Sequence, residues 1–433
     1  MGTAGTRWWV KGLAAAGALS IGAGALTLFS SLGRRPALLH VSERHPLDSR
    51  EFAASLAGIT RSALRHGGTA RLLNDGDEFF PAMLQAISAA RHNVNFCVYI
   101  WEEGQVADAF LGALTDRARA GVQVRLLLDA RGATHAPEAG LERLRRAGGR
   151  VASFRPARFG MLTRYHKRNH RRAVVVDGAL AFTGGAAMAD KWQGHAQDAE
   201  HWRDVMVEVT GPLAASVQSA FTDDWAHTTG EILAGPAFFP PEDVTAAPAP
   251  GPVHVGLATA PSSEDHPIRL VYMSVLAAAR QRVAITTPYF VPDASLRKEM
   301  ADRARGGVSV RVLLPDEHTD AAVIRRASQH YYEELLEAGV RIWEYQGTFL
   351  HAKTLVADGV LSVVGAANFD IRSMEHNHEN VLAVQDASLA AALEAAFERD
   401  LRRAQAITLD GWRRRGAWAR LKERLAILPA EQF

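Results

Sequence analysis

A duplicated pattern constrains the fold of this 433-residue chain more than any other feature of its sequence. The repeat pairs DRARAGVQVRLLLD at 116–129 with DRARGGVSVRVLLPD at 302–316, and AISAARHNVNFCVYIW at 86–101 with SVLAAARQRVAITTPYF at 274–290. Each half alternates helical patterns with apolar strands, which is typical of α/β layers. The repeat therefore predicts two similar α/β domains that are related by a pseudo-twofold axis and share one cleft.

Each half ends in a polar constellation, and the second half has the more complete one. His351 and Lys353 are two residues apart, and Asp358 begins an Asp-Gly turn five residues after the lysine. A period of two places His351 and Lys353 on one face of a strand. A glycine turn at Gly365 and the amide of Asn368 follow.

The first half carries the same skeleton with an arginine at the lysine position. His170 and Arg172 are followed by Asp177 and by the turn at Gly184 and Gly185. An imidazole can act as nucleophile or proton carrier near neutral pH, and a fixed cation neutralises phosphate oxygens as charge shifts. One such motif is compatible with a buried structural histidine and a simple hairpin. Two copies at matched spacing indicate a site for phosphodiester chemistry.

Composition excludes several other classes of function. The net charge of +2 argues against a dedicated nucleic-acid binder with a strongly basic surface. The single cysteine, Cys97, excludes an internal disulfide and a cysteine-based metal cage. The 17 histidines show no HExxH-type cluster. We therefore expect no metal and no cofactor.

The N-terminus differs in kind from the rest of the chain. Between Lys11 and Arg34 the residues are uncharged, and at about 1.5 Å per residue they can span a bilayer core of roughly 30 Å. We predict a retained transmembrane helix, with a cleaved signal peptide as the alternative. Both flanks of the segment are basic, so the sequence leaves its orientation open.

These patterns give a predicted domain organisation. It consists of a membrane anchor or signal peptide at 1–35, a first domain at 36–235, a Pro/Ala-rich linker at 236–255, and a second domain with a basic amphipathic tail at 256–433. The tail, 407–433, has two interpretations. It can lie on an anionic membrane, or it can pack its apolar face on the second domain.

The two half-sites resemble those of the phospholipase D superfamily, and within it they are similar to bacterial cardiolipin synthases. The resemblance implies two phospholipase D-like α/β sandwich domains with pseudo-twofold symmetry. It implies that His170 is the nucleophile and His351 the general acid and base. The two histidines stand in equivalent motifs, so the sequence itself does not distinguish their roles. It also implies that Asp204 and Glu379, which each precede a strand after the glycine turn, hydrogen-bond the second ring nitrogen of a catalytic histidine.

The resemblance also assigns the remaining site residues. The phosphate-binding group comprises Arg172, Lys353 and Asn368, with the turn glycines Gly184, Gly185 and Gly365 beside them. Asp177 and Asp358 belong to the catalytic motif, and a role in the turn or the hydrogen-bond network suits them better than direct participation in the chemistry. Three positions depart from the family pattern. Arg172 stands where the family has lysine, Ala187 where it often has asparagine, and Ala366 where it usually has serine.

The implied function is transfer of a phosphatidyl group between phospholipids through a phosphohistidine. The implied substrates are phosphatidylglycerol or a similar lipid, and the implied location is the bacterial inner membrane, held by a single N-terminal anchor. Nucleic acid is not expected as a partner, and the sequence does not give the oligomeric state. Two alternatives stay open: a phospholipase D or phosphodiesterase that uses water as acceptor, and a catalytically weak lipid-binding protein.

Overall fold

The structure is a computed structural model that describes residues 38–156, 167–241, 251–259 and 266–430. The predicted anchor at 1–35 lies outside these residues, as do residues 242–250 of the predicted linker at 236–255. Within the described residues, no helix combines the length and the apolar character that a bilayer crossing requires.

The elements alternate between strands and helices as the repeat predicts. The strands are β1 (Leu64–His66), β2 (Ala70–Asn74), β3 (Asn93–Val98), β4 (Gln123–Asp129), β5 (Arg150–Phe154), β6 (Ala173–Val176), β7 (Leu180–Gly184), β8 (Val205–Thr210), β9 (Val253–Thr259), β10 (Arg282–Thr286), β11 (Phe290–Val291), β12 (Ser309–Pro315), β13 (Arg341–Tyr345), β14 (Thr354–Ala357), β15 (Leu361–Gly365), β16 (Phe369–Asp370), β17 (Glu379–Gln385) and β18 (Ala404–Ile407). The α-helices are α1 (Arg50–Thr60), α2 (Asp75–Ala89), α3 (Gln105–Arg119), α4 (Glu138–Arg146), α5 (Pro212–Thr229), α6 (Pro267–Ala278), α7 (Ala294–Arg305), α8 (Ala322–His330), α9 (Tyr332–Glu337), α10 (Ile371–Glu375), α11 (Ala387–Leu401), α12 (Leu409–Arg413) and α13 (Ala417–Ala430), with a short 3₁₀ turn at Asp190–Trp192.

Two mixed sheets with the same strand order form the framework. The first runs β2-β8-β7-β6-β3-β4-β5, and the second contains the equivalent series β9-β17-β15-β14-β10-β12-β13, extended by β1 at one edge and β18 at the other. In each sheet three neighbouring strands are parallel, namely β3-β4-β5 and β10-β12-β13, and the others pair antiparallel. The predicted α/β class is confirmed, and the repeated strand order matches the predicted duplication.

The core follows from the alternation of side chains along the strands. In β3, Phe96 faces a cluster that includes Phe79 and Phe110 from α2 and α3. Its neighbour Cys97 faces the opposite cluster, which combines side chains of the first sheet with Val364 and other residues of the second. Because successive strand residues point to opposite faces, the first sheet packs against α2 and α3 on one side, and against α5 and the second half of the protein on the other.

The segment before the first sheet packs against the second sheet. Strand β1 pairs antiparallel with β9, and Phe52 and Leu56 of α1 are buried. Gln385 donates its side-chain amide to the carbonyls of Leu47 and Ser49. The chain therefore visits the second sheet before it builds the first, so the start of the predicted domain 36–235 is joined in space to its neighbour.

Asp177 and Asp358 occupy matched hairpin turns. Both have left-handed backbone angles, with φ of 52° and 53°, and each is followed by a glycine with positive φ. Each carboxylate accepts three backbone N–H groups at the start of the first parallel strand of its half, β3 or β10: Arg91, His92 and Asn93 for Asp177, and Arg280, Gln281 and Arg282 for Asp358. Both aspartates thus tie a hairpin to its sheet, which agrees with the turn role given to them above.

Replacing Asp358 with Ala should weaken the fold and leave the chemistry intact. The change leaves three N–H groups without their acceptor, so we expect the free energy of unfolding to fall by about 1–3 kcal/mol. Asp358→Asn is the matched control, since it keeps one acceptor oxygen and tolerates the left-handed backbone. Denaturant unfolding and turnover per folded molecule test this. Lost activity at unchanged stability would instead place Asp358 in the chemistry.

Candidate active site

The two motif histidines lie at equivalent edges of the two sheets. His170 precedes β6 and His351 precedes β14, and these strands run antiparallel to β3 and β10. Both histidines are therefore beside the carboxyl ends of the parallel strands. Ligands of α/β proteins usually bind at this edge, because the strand-to-helix loops open there.

Backbone hydrogen bonds join the halves directly beside the histidines. The N–H of His170 donates to the carbonyl of His378 at 2.9 Å, and the N–H of His351 donates to the carbonyl of Arg203 at 2.7 Å. A short parallel bridge accompanies each contact, one residue before each histidine. Each histidine is therefore held at the point where its own half meets the other.

The predicted acids reach the histidines across this junction. Nδ1 of His170 lies 2.8 Å from Oε1 of Glu379, and Nδ1 of His351 lies 2.7 Å from Oδ2 of Asp204. The first half thus supplies the acid for the second histidine, and the second half supplies the acid for the first. Because Nδ1 of each ring is directed to an acid, Nε2 is the ring nitrogen that can act on a substrate; in His351 it also lies 3.0 Å from Nζ of Lys353.

Burial and neighbouring cations set the protonation of the cluster. Burial lowers the pKa of His170 and His351 well below the ordinary range, and Arg172 and Lys353 lower it further. Burial also raises the pKa of Glu379 to about 8. The imidazoles are therefore neutral near pH 7, which is the form that can attack phosphorus.

Two cations complete the cluster, and one of them has unused donors. Nζ of Lys353 lies 2.9 Å from Nδ1 and 3.0 Å from Nε2 of His351, and burial lowers the pKa of Lys353 to about 7. Arg172 donates from Nη1 to the carbonyl of His170, whereas its buried Nε and Nη2 have no hydrogen-bond partner among the described residues. Buried unpartnered donors are costly, so this guanidinium is suited to an anionic ligand.

The remaining predicted binding residues divide into a polar group and a packing group. The Oδ1 atom of Asn368 is buried and has no partner among the described residues, so this amide can turn towards a ligand. The glycines allow close approach of backbone or acid: a Cβ atom on Gly185 would lie 2.2 Å from Oδ1 of Asp204, and one on Gly184 or Gly365 would meet a neighbouring backbone carbonyl at 2.4 or 2.3 Å. In the structure these three glycines support the acid and the strand contacts.

Trp192 is a site residue that the sequence did not reveal. Its Nε1–H donates to Oδ2 of Asp204 at 2.9 Å, the same oxygen that contacts Nδ1 of His351. The rings of Trp192, Trp202 and Phe349 all lie within 5.6 Å of the His351 ring, measured between centroids. Trp192 has no counterpart in the motif pattern, because its role depends on how its turn folds back onto Asp204.

A second cluster of acids and histidine, partly buried, includes His378, the neighbour of Glu379. Ligand-type atoms of Asp223, Asp224 and His378 lie within 4.8 Å of one another. Arg171 already contacts both carboxylates, at 3.0 Å and 3.1 Å, and His378 donates from Nδ1 to Asp224 at 2.7 Å. The positive guanidinium makes this group an ion-pair network rather than a favourable cation site.

Comparisons with known proteins agree with this architecture. The family model described as "Cardiolipin synthase, PLD-like domain" matches residues 83–225 and 272–401. Cardiolipin synthase 1 of Bacillus anthracis is 30% identical over 406 residues, covering 90% of this chain and 77% of that protein, and cardiolipin synthase A of Klebsiella pneumoniae (strain 342) is 33% identical over 368 residues, covering 83% and 74%. The crystal structure of phosphatidylserine synthase from Haemophilus influenzae Rd KW20 aligns with a TM-score of 0.66 at 14% identity, over 88% of this chain and 100% of that chain, which supports the fold alone.

Fold and site define a class of α/β proteins in which two similar halves each supply a histidine to one buried cluster. Within that class, the chain belongs to the family of cardiolipin synthases with phospholipase D-like domains.

Replacing Trp192 with Phe should slow the enzyme while preserving the ring packing. The change removes one hydrogen bond to a charged group, worth about 1.5–3 kcal/mol, so kcat/KM should fall roughly tenfold to hundredfold. Burial raises the pKa of Asp204 and the Trp192 N–H opposes that rise, so without this hydrogen bond the pKa should rise further and the acidic limb of the pH–rate profile should move to higher pH. Trp202→Phe is the control, since Trp202 contacts His351 without a described hydrogen bond to Asp204. Equal losses in the two variants would contradict the hydrogen-bond role.

Proposed function

We propose that this chain is a phosphatidyltransferase of the cardiolipin synthase type, which transfers a phosphatidyl group between phospholipids through a phosphohistidine. The observation that carries the proposal is the pair of neutral, buried imidazoles, each bound through Nδ1 to an acid of the opposite half. Two such groups in one cluster suit a double displacement, because one can form the covalent bond while the other moves protons.

In the proposed first step, Nε2 of His170 attacks the phosphorus of phosphatidylglycerol. The anionic phosphate of the bound lipid favours the protonated form of His351, whose low pKa makes it a strong acid. A phosphorus–nitrogen bond forms, the bond to the glycerol headgroup breaks, and this protonated His351 gives the leaving oxygen its proton. In the second step, His351 takes a proton from a hydroxyl of a second phosphatidylglycerol, and that oxygen displaces His170. The products are cardiolipin and free glycerol, so atoms and protons balance. The choice of His170 as nucleophile follows the family resemblance.

The phosphate charge in both steps is met by side chains of the chain itself. Arg172 and Lys353 supply positive charge, and Asn368 supplies an amide, all from buried positions. Positioned donors in a buried site stabilise developing charge without reorganisation, which is the largest contribution to catalysis in many enzymes. Acid partners that hold each imidazole in one tautomer complete the arrangement. We place the enzyme at the bacterial inner membrane, held by the predicted segment at 1–35.

The three departures from the family pattern are compatible with an active site. Ala187 and Ala366 are completely buried, so their small side chains fill packed positions in the described core. Arg172 retains the positive charge and adds donors with a fixed planar geometry. These features support catalysis over the weak lipid-binding alternative.

Product analysis tests the proposal and separates transfer from hydrolysis. Purified full-length chain with headgroup- and phosphate-labelled phosphatidylglycerol should give cardiolipin and glycerol in equal amounts, whereas a hydrolase would give phosphatidic acid. His170→Ala and His351→Ala should each reduce turnover by at least about 10²–10⁴-fold. His351→Ala should also retain labelled lipid covalently on His170. Label on residue 351 of His170→Ala would reverse the assignment, and near-normal turnover of either variant would refute the mechanism.

Substitutions of Arg172 should separate charge from geometry. In Arg172→Lys, burial should lower the pKa of the new amine as it does for Lys353, whose pKa is about 7. A cation with a lowered pKa loses its charge as pH rises, so the ratio of variant to wild-type kcat/KM should be close to one near pH 6 and should fall above pH 7. Arg172→Ala should lose roughly tenfold to hundredfold at every pH, because a charge-assisted donor is absent. Wild-type behaviour of Arg172→Ala would show that this residue does not hold phosphate.

A further inference from the structure

The C-terminal helix α13 packs on the second half by one narrow face. Ala426 is buried against Ala327 of α8 and Val291 of β11, and Glu423 is buried and paired with Arg415. The packing interpretation of the tail is therefore correct for this face. It accounts for only part of the helix surface.

The outward face of α13 presents large apolar side chains to solvent. Trp418, Leu421 and Leu425 are 67%, 44% and 56% exposed. Their spacing of three and four residues places them in one stripe along the helix. Single exposed apolar residues are ordinary, but three in one stripe on a terminal helix mark an interaction surface.

Positive charges surround this stripe. Arg414, Arg420, Lys422 and Arg424 are all exposed, and Nζ of Lys422 lies 5.6 Å from the ring centroid of Trp418. The acid of the same helix, Glu423, is turned inwards to Arg415. The outward face therefore combines apolar side chains with a cationic rim, as in helices that lie in the interface of an anionic membrane.

The surface lies at the same end of the second sheet as the candidate active site. The β11 segment and α8 follow the carboxyl ends of the parallel strands β10 and β12, the edge at which His351 also lies. The hydroxyl of Tyr289 donates to Asp320 at 2.6 Å, which links the loops that lead into these two elements. Burial lowers the pKa of Lys353, and Asp320 is close enough for its negative charge to oppose that fall. A membrane that contacts α13 would therefore lie at the edge where the lipid must enter.

We propose that the outward face of α13, formed by Trp418, Leu421 and Leu425 with its cationic rim, docks on the surface of a bilayer that contains anionic phospholipid. This proposal rests on the proposed function only in that the substrate lies in a membrane. A second copy of the chain is a poor occupant, because a symmetric contact would bring the same row of cations together. Anionic headgroups match the rim, and acyl chains match the stripe.

A fluorescent label on Leu421→Cys tests the docking directly in the full-length chain. The native Cys97 is buried, and burial raises its thiol pKa, so only the introduced cysteine should react with the label. After reconstitution into vesicles, the emission of an environment-sensitive label should shift to the blue in mixed phosphatidylglycerol and phosphatidylcholine. Spin-labelled lipid should quench it. Ile232→Cys, in the first half and 78% exposed, is the matched control and should show neither effect.

Charge variants and the dependence on lipid and protein concentration distinguish an anionic bilayer from a second copy of the chain as the partner. Substitution of Arg420, Lys422 and Arg424 with Gln should lower the equilibrium constant for docking of α13 on the bilayer about fivefold per cation. No shift with phosphatidylglycerol, or an equal shift in pure phosphatidylcholine, overturns the proposal. A shift in detergent that grows with protein concentration also overturns it and identifies a second copy instead. Turnover on detergent-dispersed lipid is measured in parallel, so a failure of docking is distinguished from a failure of the proposed function.

Discussion

The crossed hydrogen bonds between the histidines and the acids are the interaction on which the rest of the site depends. Glu379 of the second half holds His170, and Asp204 of the first half holds His351. Neither half has a complete catalytic pair by itself. Because both pairs are buried, removal of one partner would leave a buried polar group without its hydrogen bond, at a cost of about 1–3 kcal/mol. The interface between the halves is therefore part of the active site and cannot open without dismantling it.

The residues before the acids strengthen the same junction. Arg203, which precedes Asp204, donates to Asp75 of the first half and to Asp400 of the second. His378, which precedes Glu379, contacts Asp224 of the other half. These contacts between the halves hold the strand ends in register, so the imidazoles are fixed before any substrate arrives.

The scaffold is symmetric, whereas the surroundings of the two histidines are not. His351 lies among aromatic rings and next to a lysine whose pKa is about 7, and His170 lies beside an arginine with two buried donor atoms that have no partner among the described residues. A double displacement requires different tasks from its two imidazoles, so unequal surroundings suit it. The duplication supplied two equivalent positions, and local packing made them different.

The sequence by itself determined the α/β class, the duplication, and the residue types of the candidate site, since period-two strands and Asp-Gly turns are local patterns that can be recognised in one chain. It also suggested Asp204 and Glu379, through alignment of the two halves. Only the tertiary structure decided that the acids cross, because these contacts join residues 147 and 209 positions apart. The same holds for Trp192, for the addition of β1 to the second sheet, and for the face of α13 that stays exposed. Local propensity has no information about which distant surfaces meet, and packing of the two halves selects among them.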